Sequence, residues 1–198
     1  MKKMLYLGLL ILIAFNVYLN YKQKKFESLI AEFSSIVAKE KIINERLRTQ
    51  ISYCQEVGNT PIPDIIIKQS FVDSCMMSSL FRTKNEAALC YRFKETHCDA
   101  CIKDACGLIE DISTKWSGEV YIFTNYKHAA QFAAFSNSVK NKNIVVCNVE
   151  SLPWQIERAD KPYFFVIQNN AIHDIFIHLK ENQKENKKYF NNLIKKYK

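Results

Sequence analysis

From Tyr21 to Val57 the chain contains neither glycine nor proline. A stretch this long without a breaker is read as one helix, so any globular fold must be built from the residues after Val57. Phe26, Leu29, Phe33, Ile36, Ile43 and Leu47, with Ile30 and Val37 alongside, give a heptad-like stripe interrupted at Glu40. Roughly 30 helical residues at about 1.5 Å each would span on the order of 45 Å. Two structures suit the stripe: an amphipathic helix packed on its own domain, or a coiled-coil stalk through which two chains could pair as a homodimer. Gly58-Asn59-Thr60-Pro61, with Pro63, ends the helix and marks a domain boundary.

Ahead of this segment, Lys2 and Lys3 precede an apolar run from Met4 to Phe15, and a softer stretch continues to Tyr21 with Asn16 and Asn20 inside it. A spanning helix needs about 20 apolar residues, with roughly 17 as the lower limit. The run is just long enough, and it offers no small-residue cleavage site. The expectation is an uncleaved, single-pass anchor over residues 1–21, with the amino end inside and the rest of the chain exported from a bacterial cytoplasm. The chain then divides into an anchor (1–21), a helical stalk (22–57) and one globular domain (58–198).

The globular part alternates in pattern. Strands are expected at 64–70, 87–93, 119–124 and 143–149, from β-branched and aromatic runs. Helices are expected at 99–116 and 126–139, the latter with Ala129, Phe132, Ala133 and Phe135 on its buried side. Residues 162–167 and 171–177 read as a hairpin across Gln168-Asn169-Asn170, since Asn tolerates positive φ. A last helix over 181–197 would lay Tyr189, Phe190, Leu193 and Ile194 on the sheet. Helices alternating with strands before a terminal hairpin indicate a three-layer α/β domain with a mixed sheet.

The chemistry lies at one strand-to-helix junction. Cys98-Asp99-Ala100-Cys101 directly follows an apolar strand and opens a helix. That places Cys98 at the positive end of the helix dipole, which favours its thiolate, and Cys101 one turn inside. A thiolate attacks a disulfide, and a second thiol one turn away displaces the mixed disulfide that results. Asp99 opposes the thiolate, whereas a protonated His97 would favour it. Glu95 and Asp174 are candidates for an acid beneath the dithiol.

Leu89-Cys-Tyr-Arg-Phe-Lys-Glu-Thr-His-Cys-Asp-Ala-Cys101, together with Lys161-Pro162-Tyr-Phe-Phe-Val-Ile and the turn at Asn169-Asn170, resembles the thioredoxin superfamily. The likeness runs from about Pro63 to Lys198 and is greatest to the membrane-anchored TlpA- and ResA-like branch. It implies a thioredoxin-like fold, with Cys98 as nucleophile and Cys101 as resolving thiol. It also implies that Pro162 is a cis-proline facing the dithiol and that Lys161-Pro162 is an edge for a substrate strand, with His97 beside it. The region from Pro63 to Leu80 would be the extra N-terminal strand region of the anchored branch. The implied activity is thiol–disulfide exchange with exported protein thiols or disulfides, fed by an upstream redox protein and needing no cofactor. The sequence departs from the family in carrying His97 where a tryptophan is usual and in lacking a proline between the cysteines.

Two other functions fit the same residues. His97, Cys98, Cys101 and Cys106 are a ligand set suited to zinc or copper(I), and a thioredoxin-like adaptor without activity would keep the fold alone. Of the seven cysteines, Cys90, Cys106 and Cys147 fall in expected core elements and read as small apolar residues. Cys54 and Cys75 could form a disulfide in an exported domain. The net charge of +8 owes much to lysines between 180 and 198, read as a solvated helix face or a weak attraction to anionic lipid rather than a nucleic-acid site. With four glycines in the chain there is no phosphate-binding loop, and no serine-nucleophile elbow is present.

Overall fold

A computed structural model of the chain describes residues 2–70, 73–81, 86–139, 141–178 and 183–197. The breaker-free segment belongs to one helix, α1 (Lys2–Val57). It stops where the Gly58 amide donates to Cys54 O at 2.9 Å and Asn59 turns to φ 63°. A Cβ on Gly58 would collide with Cys54 O, so glycine is required there. The chain forms two compact units, the first reaching Thr49 and the second beginning at Gln50.

In the first unit, Leu9, Leu10, Ile11, Leu12 and Ile13 are all exposed, which makes the helix apolar on every side over that stretch. Even so, no helix among the described residues is long and apolar enough to cross a membrane. The spanning anchor expected over residues 1–21 is not found there; residue 1 and the side chains of residues 2–5 and 7 of that segment lie outside the described residues. Phe26, Leu29, Phe33, Ile36 and Leu47 are exposed as well.

The second unit contains β1 (Ile66–Lys68), β2 (Ser74–Met76), α2 (Met77–Phe81), β3 (Ala88–Arg92), α3 (Asp99–Ser113), β4 (Val120–Thr124) and α4 (Ala129–Ser138). These are followed by β5 (Ile144–Asn148), a 3₁₀ turn (Gln155–Ala159), β6 (Tyr163–Gln168), β7 (Ala171–Ile177) and α5 (Gln183–Lys196). The seven strands make one sheet in the order β2-β1-β5-β4-β3-β6-β7. β3, β4 and β5 run parallel, while β6 is antiparallel to both β3 and β7. From β3 onward this is strand, helix, strand, helix, strand, hairpin, helix: an α/β arrangement with a mixed sheet. The hairpin turns through Asn169 (φ 52°) and Asn170 (φ 59°), two left-handed residues in succession, as a tight β-turn of this hand needs. Residues 181 and 182 of the expected last helix lie outside the described residues.

Strand alternation sorts the core into two faces. Leu89, Tyr91, Val120, Ile122, Phe164 and Val166 meet Ile102, Ala105 and Ile109 of α3, Phe132 of α4 and Phe190 and Leu193 of α5. Cys90, Tyr121, Phe123, Cys147 and Phe165 face the other way, toward Val57, α2 and the segment from Val149 to Ile156. This second cover layer was not apparent in the sequence, because α2 and the 3₁₀ turn are too short to show a period. On α4 only Phe132 is fully buried; Ala129 and Ala133 are exposed, contrary to expectation, because α4 touches the sheet along a single narrow line.

Gln50 and Cys54, in the last turns of α1, line the outer edge of β7. The Gln50 carboxamide donates to Ile175 O and accepts from the Ile177 amide, and the Cys54 thiol reaches Ile175 O at 3.3 Å. Cys75 sits on β2, the opposite edge of the sheet. Cys54 and Cys75 are accordingly both thiols, and the disulfide considered between them does not form.

Candidate dithiol site

Parallel strands buried on both faces end in loops at their carboxyl edge, where functional groups collect. β3 is an interior strand of the sheet, between β4 and β6, and the loop leaving it is braced from three directions before it reaches the cysteines. Beneath it, Arg92 is buried and all five of its N–H groups are occupied. Nε donates to Glu157 Oε1 at 3.0 Å, and Nη1 donates to Thr124 O at 2.9 Å and Val149 O at 3.1 Å. Nη2 donates to Glu150 O at 3.3 Å and Glu157 Oε2 at 3.1 Å. Tyr163 also donates its hydroxyl to Glu157 Oε1, at 2.8 Å. One guanidinium thus ties together the ends of β3, β4 and β5 and the 3₁₀ turn, a task suited to its planar fork.

On one side of the loop, the Glu95 amide donates to Asn125 Oδ1 and the Glu95 carboxylate accepts the Lys127 amide at 2.9 Å. On the other side, Lys94 Nζ reaches Glu157 O at 2.8 Å and Asp160 Oδ1 at 3.1 Å. Between them Lys94–His97 closes as a turn, His97 N donating to Lys94 O at 2.9 Å. The His97 ring is buried. Its Nδ1 accepts the Lys94 amide at 3.2 Å, and its Nε2 lies 3.4 Å from Asp160 Oδ1, an ion-pair distance rather than a short hydrogen bond. Because Nδ1 accepts, the ring proton of the neutral form belongs on Nε2.

Cys98 then caps α3 at the N-terminus, with φ −57° and ψ 120°, and its carbonyl accepts the amides of Cys101 (2.9 Å) and Ile102 (3.0 Å). Cys98 is exposed and Cys101 half-buried, one turn into the helix. The first thiol therefore meets solvent at the positive helix end, and the second waits behind it. Burial pushes the His97 imidazole below its ordinary range, with Asp160 opposing the shift. Asp160 is held below the usual carboxylate range by Lys94 first and His97 second.

Of the other residues singled out, Lys161 is exposed and Pro162 buried, and the Pro162 carbonyl accepts the His178 amide at 3.0 Å. No cis peptide bond occurs among the described residues, so the cis-proline implied by the family resemblance is absent. The chain instead enters β6 through Asp160, in the left-handed region at φ 49°. The two acid candidates have partners of their own. Glu95 is engaged at Lys127, and Asp174 receives Lys196 and the Tyr197 hydroxyl near the end of α5. Asp104, one turn beyond Cys101, faces the buried His178 ring at 3.1 Å instead.

No group of three His, Cys, Asp or Glu side chains that could hold a metal occurs among the described residues. The His97, Cys98, Cys101, Cys106 set is not brought together, because the ring nitrogens of His97 face Lys94 and Asp160. Cys90 and Cys147 lie in the core, and burial raises the Cys106 thiol to about 11. Arg92, Glu157 and Asp160 went unremarked in the sequence. The only signal they leave there is a lone arginine inside an otherwise apolar strand, a residue that must find partners if it is buried.

No family model matches the chain, and no curated protein matches it. Solved structures do. Reduced Prx3 from Vibrio vulnificus aligns at TM-score 0.47 and 8% identity, over 63% of this chain and 88% of that one. A candidate thiol:disulfide interchange protein DsbE from Chlorobium tepidum aligns at TM-score 0.48 and 11% identity, over 69% and 96%. Peroxiredoxin 5 from Alvinella pompejana aligns at TM-score 0.48 and 11% identity, over 68% and 97%. Likenesses at this level assign no chemistry to the residues of this chain.

Proposed function

We propose that the chain is a thiol–disulfide oxidoreductase acting on protein cysteines through Cys98 and Cys101. One observation carries the reading: an exposed cysteine caps a helix that follows an interior parallel strand, with a second, shielded cysteine one turn behind it. The Cys98 thiolate attacks one sulfur of a substrate disulfide, forming a Cys98–substrate bond and expelling the other sulfur as a thiolate. The Cys101 thiolate then attacks Cys98, releasing the second substrate thiol and leaving a Cys98–Cys101 disulfide. Two electrons have passed from the dithiol to the substrate. The reverse sequence oxidises a substrate dithiol, and a second dithiol or disulfide protein resets the pair.

Lys161 and Pro162, at the start of β6 beside this loop, would border the bound substrate. The setting belongs to the same proposal. Lys2 and Lys3 ahead of an apolar run suit an exported chain, so the substrates are exported proteins. The exposed stripe from Phe26 to Leu47 offers a seam to a second copy.

A redox titration of the protein, with thiol alkylation and mass spectrometry locating the bond, tests the exchange reading. A reversible Cys98–Cys101 disulfide is expected, and Cys101→Ala should trap a mixed disulfide through Cys98. If the two cysteines never pair across the titration, the reading fails.

A further inference from the structure

The loop that presents Cys98 and the turn that leads into Pro162 are joined at a single carboxylate. Asp160 Oδ1 receives Lys94 Nζ at 3.1 Å and lies 3.4 Å from His97 Nε2. Lys94 and His97 are the two ends of the turn that immediately precedes Cys98, closed by the His97 N–H···O=C Lys94 bond and by the Lys94 amide on the His97 ring. Asp160 itself sits in the left-handed region directly before Lys161 and Pro162. An aspartate side chain tolerates that backbone, and its short reach brings the carboxylate back across to the neighbouring loop. The second tie, Lys94 Nζ to Glu157 O at 2.8 Å, joins the same loop to the 3₁₀ turn that delivers Asp160.

We propose that Asp160 is a positioning residue of the exchange site: by pairing with Lys94 and lying against the His97 ring, it fixes the distance and angle between the Cys98 loop and the Lys161-Pro162 segment that a protein substrate would line. This rests on the exchange reading above and adds to it a requirement that only extended substrates sense. A small disulfide meets Cys98 alone, whereas a peptide disulfide must meet Cys98 and the Lys161-Pro162 segment at once.

The test compares wild type with Asp160→Asn. Asparagine keeps the left-handed backbone and the side-chain shape while removing the charge, so the chain should fold. The two probes are hydroxyethyl disulfide and a disulfide-linked peptide of about ten residues. The expected result is a rise of roughly two- to fivefold in KM for the peptide, the scale of a partly exposed ion pair, with little change in kcat or in the rate with the small disulfide. Lys94→Met should have a similar effect, and the double variant should be no worse than the stronger single one. By NMR, His97 should titrate at lower pH in Asp160→Asn, because the charge that favours its protonation is gone.

Equal effects on both disulfides, or none on either, would overturn the positioning role and leave the exchange reading standing. If the wild-type protein reacts with neither probe, the exchange reading falls and takes this inference with it.

Discussion

Removing Arg92 should destabilise the domain more than any other surface-distant polar substitution in the β3 loop. Its side chain is 1% exposed, and its five donors satisfy three backbone carbonyls and both oxygens of Glu157. Arg92→Met fills much of the same volume but leaves a carboxylate that is 10% exposed without its cation and the carbonyls of Thr124, Val149 and Glu150 without this donor. Breaking a buried pair from one side costs about 3–5 kcal/mol. Arg92→Lys retains the charge but has three donors on one point and cannot serve four acceptor residues, so a loss of about 1–3 kcal/mol is expected. Equilibrium urea denaturation followed by the fluorescence of Trp116 and Trp154, both in the second unit, provides the assay. Neutralising Glu157 in the Arg92→Met background, by Glu157→Gln, should recover about 1 kcal/mol or more relative to additivity. If Arg92→Met costs less than about 1 kcal/mol, or if the two substitutions simply add, the guanidinium is not the tie described here.

Three further outcomes are expected. Burial holds the His97 imidazole below its ordinary value of about 6.5, so the unfolded chain binds more protons at this site than the folded one. Its contribution to stability is complete above that ordinary value and is lost as pH falls toward the folded one. His97→Gln should therefore flatten the decline in urea midpoint between about pH 7.5 and pH 5. Brief treatment of reduced protein with iodoacetamide at neutral pH should label Cys98 well before Cys106, whose thiol is raised to about 11, and before the buried Cys90, as read by peptide mass spectrometry. Gly118→Ala should cost about 2–3 kcal/mol in thermal or urea unfolding. A Cβ there meets Ala87 O, the acceptor of the Trp116 indole N–H at 2.9 Å.

What the sequence determined by itself was local. The absence of breakers from 21 to 57 gave a continuous helix, and Gly58 and Asn59 ended it where a left-handed residue was needed. Alternating apolar runs fixed β3 to β7, Asn169-Asn170 fixed the hairpin, and a Cys-x-x-Cys after a strand put Cys98 at a helix cap. Each of these depends on neighbours within a few residues, whose spacing the chain shows directly.

Tertiary structure alone decided what surrounds the dithiol. Arg92 and Glu157 are 65 residues apart and meet because β3 lies inside the sheet and the 3₁₀ turn folds back over its end. His97 stands directly before Cys98 in the sequence; that its ring is buried, with Nε2 3.4 Å from Asp160 Oδ1, was decided by the fold. Cys54 and Cys75 were both available for a disulfide until the strand order set them at opposite edges of the sheet. The physical reason is the same in each case. Backbone propensity and side-chain period act over one or two turns, whereas the partners of a buried charge are chosen by which strands become neighbours, and that order is a property of the whole core.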